Sequence, residues 1–122
     1  DAEPVFVHAN PQVRVDSAKV AVVKGPLVYC VEEADNGENL SSVMVNTDQK
    51  IEETYDDELL EGCSVLHITG KKISEKGWNE GILYQNRKVE LEDVKLTLVP
   101  YCYWGNRENG EMLVWMKELF YM

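Results

Sequence analysis

The stretch Lys19-Val20-Ala21-Val22-Val23-Lys24-Gly25-Pro26-Leu27-Val28-Tyr29-Cys30-Val31-Glu32-Glu33 decides the fold. Its first part, 19–23, is rich in β-branched residues, and Lys24-Gly25-Pro26 interrupts it before 27–33 resumes the apolar run. Two β-prone segments parted by Gly-Pro predict a hairpin-like strand pair, with Gly able to take φ values closed to other residues and Pro fixing its own. Side chains alternate along a strand, so Leu27, Tyr29 and Val31 share one face and Val28 and Cys30 the other. Both faces are apolar, which predicts a strand covered on both sides.

Working outward, the period of two recurs. Residues 94–99 alternate as Val-Lys-Leu-Thr-Leu-Val, the pattern of a half-buried strand. Shorter β-prone runs lie at 42–46 and 63–69. A longer one at 111–118 sets Met112, Val114 and Met116 against Leu113 and Trp115. No segment carries helical periodicity with caps. The expected fold is all-β, an antiparallel β-sandwich of jelly-roll type with about seven or eight short strands. The connections are polar. Residues 35–40 predict a turn pivoting on Asn36-Gly37. Residues 52–61 carry six acids in ten positions and predict a solvated loop, with one helical turn at 57–60. A calcium loop needs alternating oxygen ligands and a Gly at its bend, and these acids lack that pattern. Residues 71–92 predict an irregular surface excursion around Trp78 and Tyr84.

At 122 residues and 44% hydrophobic, the chain suffices for a single domain, 1–122, with one modest core. It carries 12 basic and 22 acidic residues, a formal charge of -10. That charge argues against nucleic acid and anionic membranes as partners, because both are bound by Lys and Arg neutralising phosphates. No apolar run approaches the ~20 residues of a membrane span, and Asp1-Ala2-Glu3-Pro4 does not open a signal peptide. Cys30, Cys63 and Cys102 stand 33 and 39 positions apart, an odd and scattered set that is no disulfide framework. Each sits in an apolar run where free cysteine acts as a small buried hydrophobe, which fits a reducing, cytoplasmic compartment. Without a close ligand pair, these thiols and His8 or His67 do not make a zinc motif.

The sequence contains no phosphate-binding loop and no nucleophile elbow. His67 occupies an alternating strand position and His8 lies beside the amino end. Both read as strand-face residues. Glycosidase chemistry needs two carboxylates about 5 to 9.5 Å apart, but with 22 acids some pair always meets that spacing. No catalytic, cofactor-binding or metal-binding residue is assigned. What stands out is the crowding of Tyr101, Tyr103, Trp104, Trp115, Phe120 and Tyr121 near the carboxyl end. Such rings fill a core, contact a neighbouring domain or second copy, or stack on the C–H faces of a sugar. The candidate contact residues are Trp104, Arg107, Trp115, Tyr103 and Phe120, with Trp78 as a further platform. Arg107 offers a planar fork that ties its loop to nearby backbone.

Three regions, within 13–32, 57–66 and 98–115, resemble a known family. Residues 13–21, Val-Arg-Val-Asp-Ser-Ala-Lys-Val-Ala, and 24–32, Lys-Gly-Pro-Leu-Val-Tyr-Cys-Val-Glu, are similar to the carboxyl-terminal part of glycoside hydrolase family 127, the β-L-arabinofuranosidase family. So are 98–107, Leu-Val-Pro-Tyr-Cys-Tyr-Trp-Gly-Asn-Arg, with Gly110-Glu111-Met112 and Val114-Trp115 behind it, and 57–62 with Val65-Leu66. The segments fall in the family's order across most of the chain. Ser17 and Lys24 depart from its commoner residues, and 71–92 matches nothing in it. The resemblance implies a non-catalytic β-sandwich that accompanies an upstream helical-barrel catalytic domain, absent from this chain. The family's zinc and nucleophile cysteines belong to that barrel, and Cys30 and Cys102 match sandwich positions instead. It implies packing on the barrel or in a homodimer interface, and, as an alternative, a module binding arabinose-containing sugars.

Overall fold

A computed structural model of the chain describes residues 2–56, 63–79, 81–101 and 110–120. Nine strands run through them: β1 (Pro4–His8), β2 (Lys19–Lys24), β3 (Leu27–Glu32), β4 (Val43–Val45), β5 (Glu52–Asp56), β6 (Cys63–Ile73), β7 (Leu91–Pro100), β8 (Met112–Leu113) and β9 (Met116–Glu118). A single helical turn, α1 (Glu33–Asn36), follows β3, and two short 3-10 turns occupy 14–16 and 40–42.

The hairpin read from 19–33 is present. Lys24 and Leu27 are partners in register, leaving Gly25-Pro26 as a two-residue turn. Gly25 takes φ +56° there, the left-handed region that a non-glycine side chain resists, and Pro26 supplies the negative φ beside it.

The sandwich expectation is wrong. Six strands close into a ring in the order β2–β9–β4–β6–β7–β3 and back to β2, a β-barrel. β1 lies outside on β2, β5 on β6, and β8 on β3. The cause is the carboxyl-terminal segment. The uniform strand expected over 111–118 bends at Val114 and Trp115, so β8 pairs with β3 while β9 passes between β2 and β4. β9 is antiparallel to β2 and parallel to β4, and it joins two edges that a sandwich would leave apart. Alternation of apolar residues is common to sandwiches and barrels, so period alone does not reveal that joint.

Each barrel strand sends residues of one face into a common core: Val20 and Val22, Tyr29 and Val31, Val43 and Val45, Leu66 and Ile68, Leu96 and Leu98, and Met116 from β9. The expected two-sided cover of β3 holds over Tyr29–Val31, where Cys30 on the opposite face is also buried, while Leu27 and Val28 are exposed. The β6–β7 hairpin is the longest pairing, in register from Leu66 opposite Leu98 to Ile73 opposite Leu91. On β6, Gly70 admits the Met44 carbonyl so closely that an added Cβ would stand 2.7 Å from it.

Two further expectations change. The acidic loop at 52–61 is strand β5 over its first five residues, with Glu52–Asp56 paired to His67–Cys63. Its charged side chains suit a sheet edge, where they discourage further pairing. The helical turn expected at 57–60 lies outside the described residues. The excursion at 71–92 is shorter than expected, because 71–73 and 91–92 belong to β6 and β7.

Candidate functional site

The accessory strands β1 and β5 flank a groove of about 720 Å³ between β1 and the connection that leads into β5. Proline suits the first position of an outer strand such as β1, because its missing N–H interrupts no ladder. The 46–51 connection is folded by side chains that act as backbone. Asn46 Oδ1 accepts from Asp48 N at 2.6 Å. Gln49 Oε1 accepts from Thr69 N at 2.8 Å, and its Nε2 donates to Thr69 O at 2.9 Å. Gln49 thereby extends the pairing of β6 beyond the end of β5.

Phe6, His8, Thr47, Gln49, Glu52 and Glu53 present the groove's functional groups. His8 Nε2 lies 2.9 Å from Glu118 Oε1, with its ring half exposed. Glu53 pairs with Lys24 and receives the Ser64 hydroxyl. The bond from Lys24 first, and that of Ser64 second, hold the Glu53 carboxyl below its ordinary range. It is therefore an ionised acceptor at neutral pH and a poor proton donor. Glu52 and Glu53 are successive residues of β5, so their side chains leave the strand on opposite faces, although both border the groove. The groove can accept hydrogen bonds from a hydroxyl-bearing ligand.

His67 sits on β6 as expected and meets Thr54 Oγ1 at 3.0 Å across the β5–β6 pair. The two histidines thus serve different neighbours. Cys30 is buried on β3. Among the described residues no three of His, Cys, Asp and Glu converge to hold a metal ion, and no helix is long and apolar enough to cross a membrane.

Of the aromatic cluster, Tyr103, Trp104 and Arg107 lie outside the described residues, as does Tyr121. Trp115 is half-buried in the bend before β9, and Phe120 is exposed just after it. Trp78 is partly exposed in the 74–90 loop. The sequence reading missed β1, β5 and the groove between them. Val5, Phe6 and Val7 and the run Thr54-Tyr55 carried a β signal, obscured by a proline and by acids.

Comparison with known proteins adds to this geometry. Residues 4–117 match the family model described as the glycoside hydrolase family 127 C-terminal domain. A non-reducing end β-L-arabinofuranosidase of Bifidobacterium longum subsp. longum is 34% identical over 124 residues, covering 96% of this chain and 18% of that protein. The crystal structure of a family 127 β-L-arabinofuranosidase from Geobacillus stearothermophilus T6 superposes with TM-score 0.92 at 38% identity, covering 98% of this chain and 19% of that one. A second family 127 β-arabinofuranosidase structure gives TM-score 0.82 at 36% identity, over 97% of this chain and 17% of its own. The chain thus spans less than a fifth of each relative.

Proposed function

The chain belongs to the C-terminal domain family of glycoside hydrolase family 127, and from that premise we propose that it is an accessory domain bracing the catalytic domain of a β-L-arabinofuranosidase. The observation that carries this reading is the match of nearly the whole chain to under a fifth of each relative, which leaves the larger part of each enzyme outside it. The groove is consistent with it, since its Glu53 carboxylate is held in an ion pair with Lys24. Exposed apolar residues such as Val15, Tyr55 and Leu83 offer surface for a neighbouring domain. The buried thiol of Cys30 suits a reducing compartment.

A second reading is a sugar-binding module. It draws on the exposed ring of Phe120 and on the polar groove beside Phe6. An amide NMR titration of the isolated chain with L-arabinose and a small β-L-arabinofuranoside separates the two. The bracing reading expects a well-dispersed spectrum that does not move. Saturable shifts confined to the groove or to indole resonances would replace it with sugar binding.

A further inference from the structure

The loop joining β6 to β7 is braced at its base and apolar at its tip. Ser74 N donates to Glu90 O at 2.8 Å, closing the loop where the strands end. Inside that closure, Arg87 Nη1 donates to Gly77 O at 3.2 Å, and the guanidinium packs where a Cβ on residue 77 would stand, 2.1 Å from Nη1. Gly77 takes φ +84°, so a side chain there is excluded by conformation and by space. Trp78 N to Glu75 O and Ile82 N to Asn79 O add turn hydrogen bonds. The frame is thus specified by Gly77 and Arg87.

What this frame presents is unusual for a solvated loop. Residues 81–86, Gly-Ile-Leu-Tyr-Gln-Asn, carry no charge in a chain with 34 charged residues, 12 basic plus 22 acidic. Ile82 is 41% exposed, Leu83 80% and Tyr84 90%. Among the described residues, Gln85 Nε2 is buried with no hydrogen-bond partner. An apolar tip beside an unsatisfied amide is surface that a partner completes.

We propose that this tip docks the domain on the catalytic domain of its own polypeptide, with Leu83 and Tyr84 entering an apolar recess and Gln85 donating to an acceptor beside it. The inference rests on the accessory-domain reading above. Three arguments select this occupant. The relatives are more than five times the length of the matched segment, so the remaining chain is tethered at a high effective concentration. A second copy brings another -10 charge against the first, which opposes self-association. A sugar wants flat rings, and the tip offers one ring beside two branched aliphatic side chains.

The test uses the full-length parent enzyme with a benzophenone photo-crosslinker replacing Tyr84, and in separate variants Tyr55 or Val15, also exposed at 69% and 76%. The expected result is an intramolecular adduct from position 84 to residues of the catalytic domain, lost when Leu83→Asp is added. Adducts to the catalytic domain from position 55 or 15 but not from 84 would overturn the role of the tip while leaving the accessory reading standing. Adducts from 84 between two copies would also overturn it, assigning the tip to a dimer contact. No adduct from any of the three positions would remove the inference and the accessory-domain packing together.

Discussion

The carboxylate of Glu111 holds the turn before β4 to the start of β8. It accepts from Asn39 N and Leu40 N, both at 2.8 Å, while Glu33 and Glu111 exchange a further pair of bonds, Glu33 N to Glu111 O and Glu111 N to Glu33 Oε1, each 2.9 Å. Asn36 acts similarly, bonding Thr97 N and Thr97 O through its amide as a strand neighbour would. Hydrogen bonds from Asn39 first and Leu40 second push the Glu111 pKa below its ordinary 4.5. A depressed carboxyl pKa stabilises the folded state above the unfolded value, and that contribution is lost as pH falls through the folded value. Glu111→Gln is therefore expected to lower the melting temperature at neutral pH, with the gap to wild type closing as pH drops below about 4.5. Thermal melts across pH 3 to 7 check this. A gap independent of pH would mean that the exchange of an acceptor oxygen for an amide NH2, not the charge, matters at this position.

β9 is three residues long, yet it joins β2 to β4, and Met116 is its one core side chain, 1% exposed. Met116→Ala is expected to destabilise the chain by about 3 kcal/mol, the usual range for a buried Met truncated in a core. Met112→Ala, at a half-buried position of β8, should cost clearly less. Urea unfolding of both variants measures the difference, and equal losses would show that β9 does not secure the ring. This element also marks the limit of what the residues disclose. The β2–β3 hairpin was legible because Gly25-Pro26 acts locally, and β7 because its alternation runs over 94–99 without interruption. The bend at Val114 and Trp115 is set by which edges are free to pair, a tertiary matter with no turn residue to signal it. β5 was concealed by its acids, which belong at an outer edge and resemble a loop in sequence.

At the scale of the molecule, family membership was readable from 13–32 and from the segments ending in Trp115, because those motifs are local. The surface proposed above for docking was not singled out. The aromatic cluster drew attention to 101–121, while among the described residues the most exposed large apolar side chains are Leu83 and Tyr84, on a stretch whose surrounding lysines and glutamates read as solvated surface. A barrel that exposes such side chains offers surface for a neighbouring domain. The most direct test is hydrolysis of a chromogenic β-L-arabinofuranoside by the isolated chain, the full-length parent and the parent truncated before this domain. The account expects turnover by the full-length enzyme, none by the isolated chain, and faster thermal inactivation after truncation. Turnover by the isolated chain, or a truncated enzyme as durable as the whole, would contradict it.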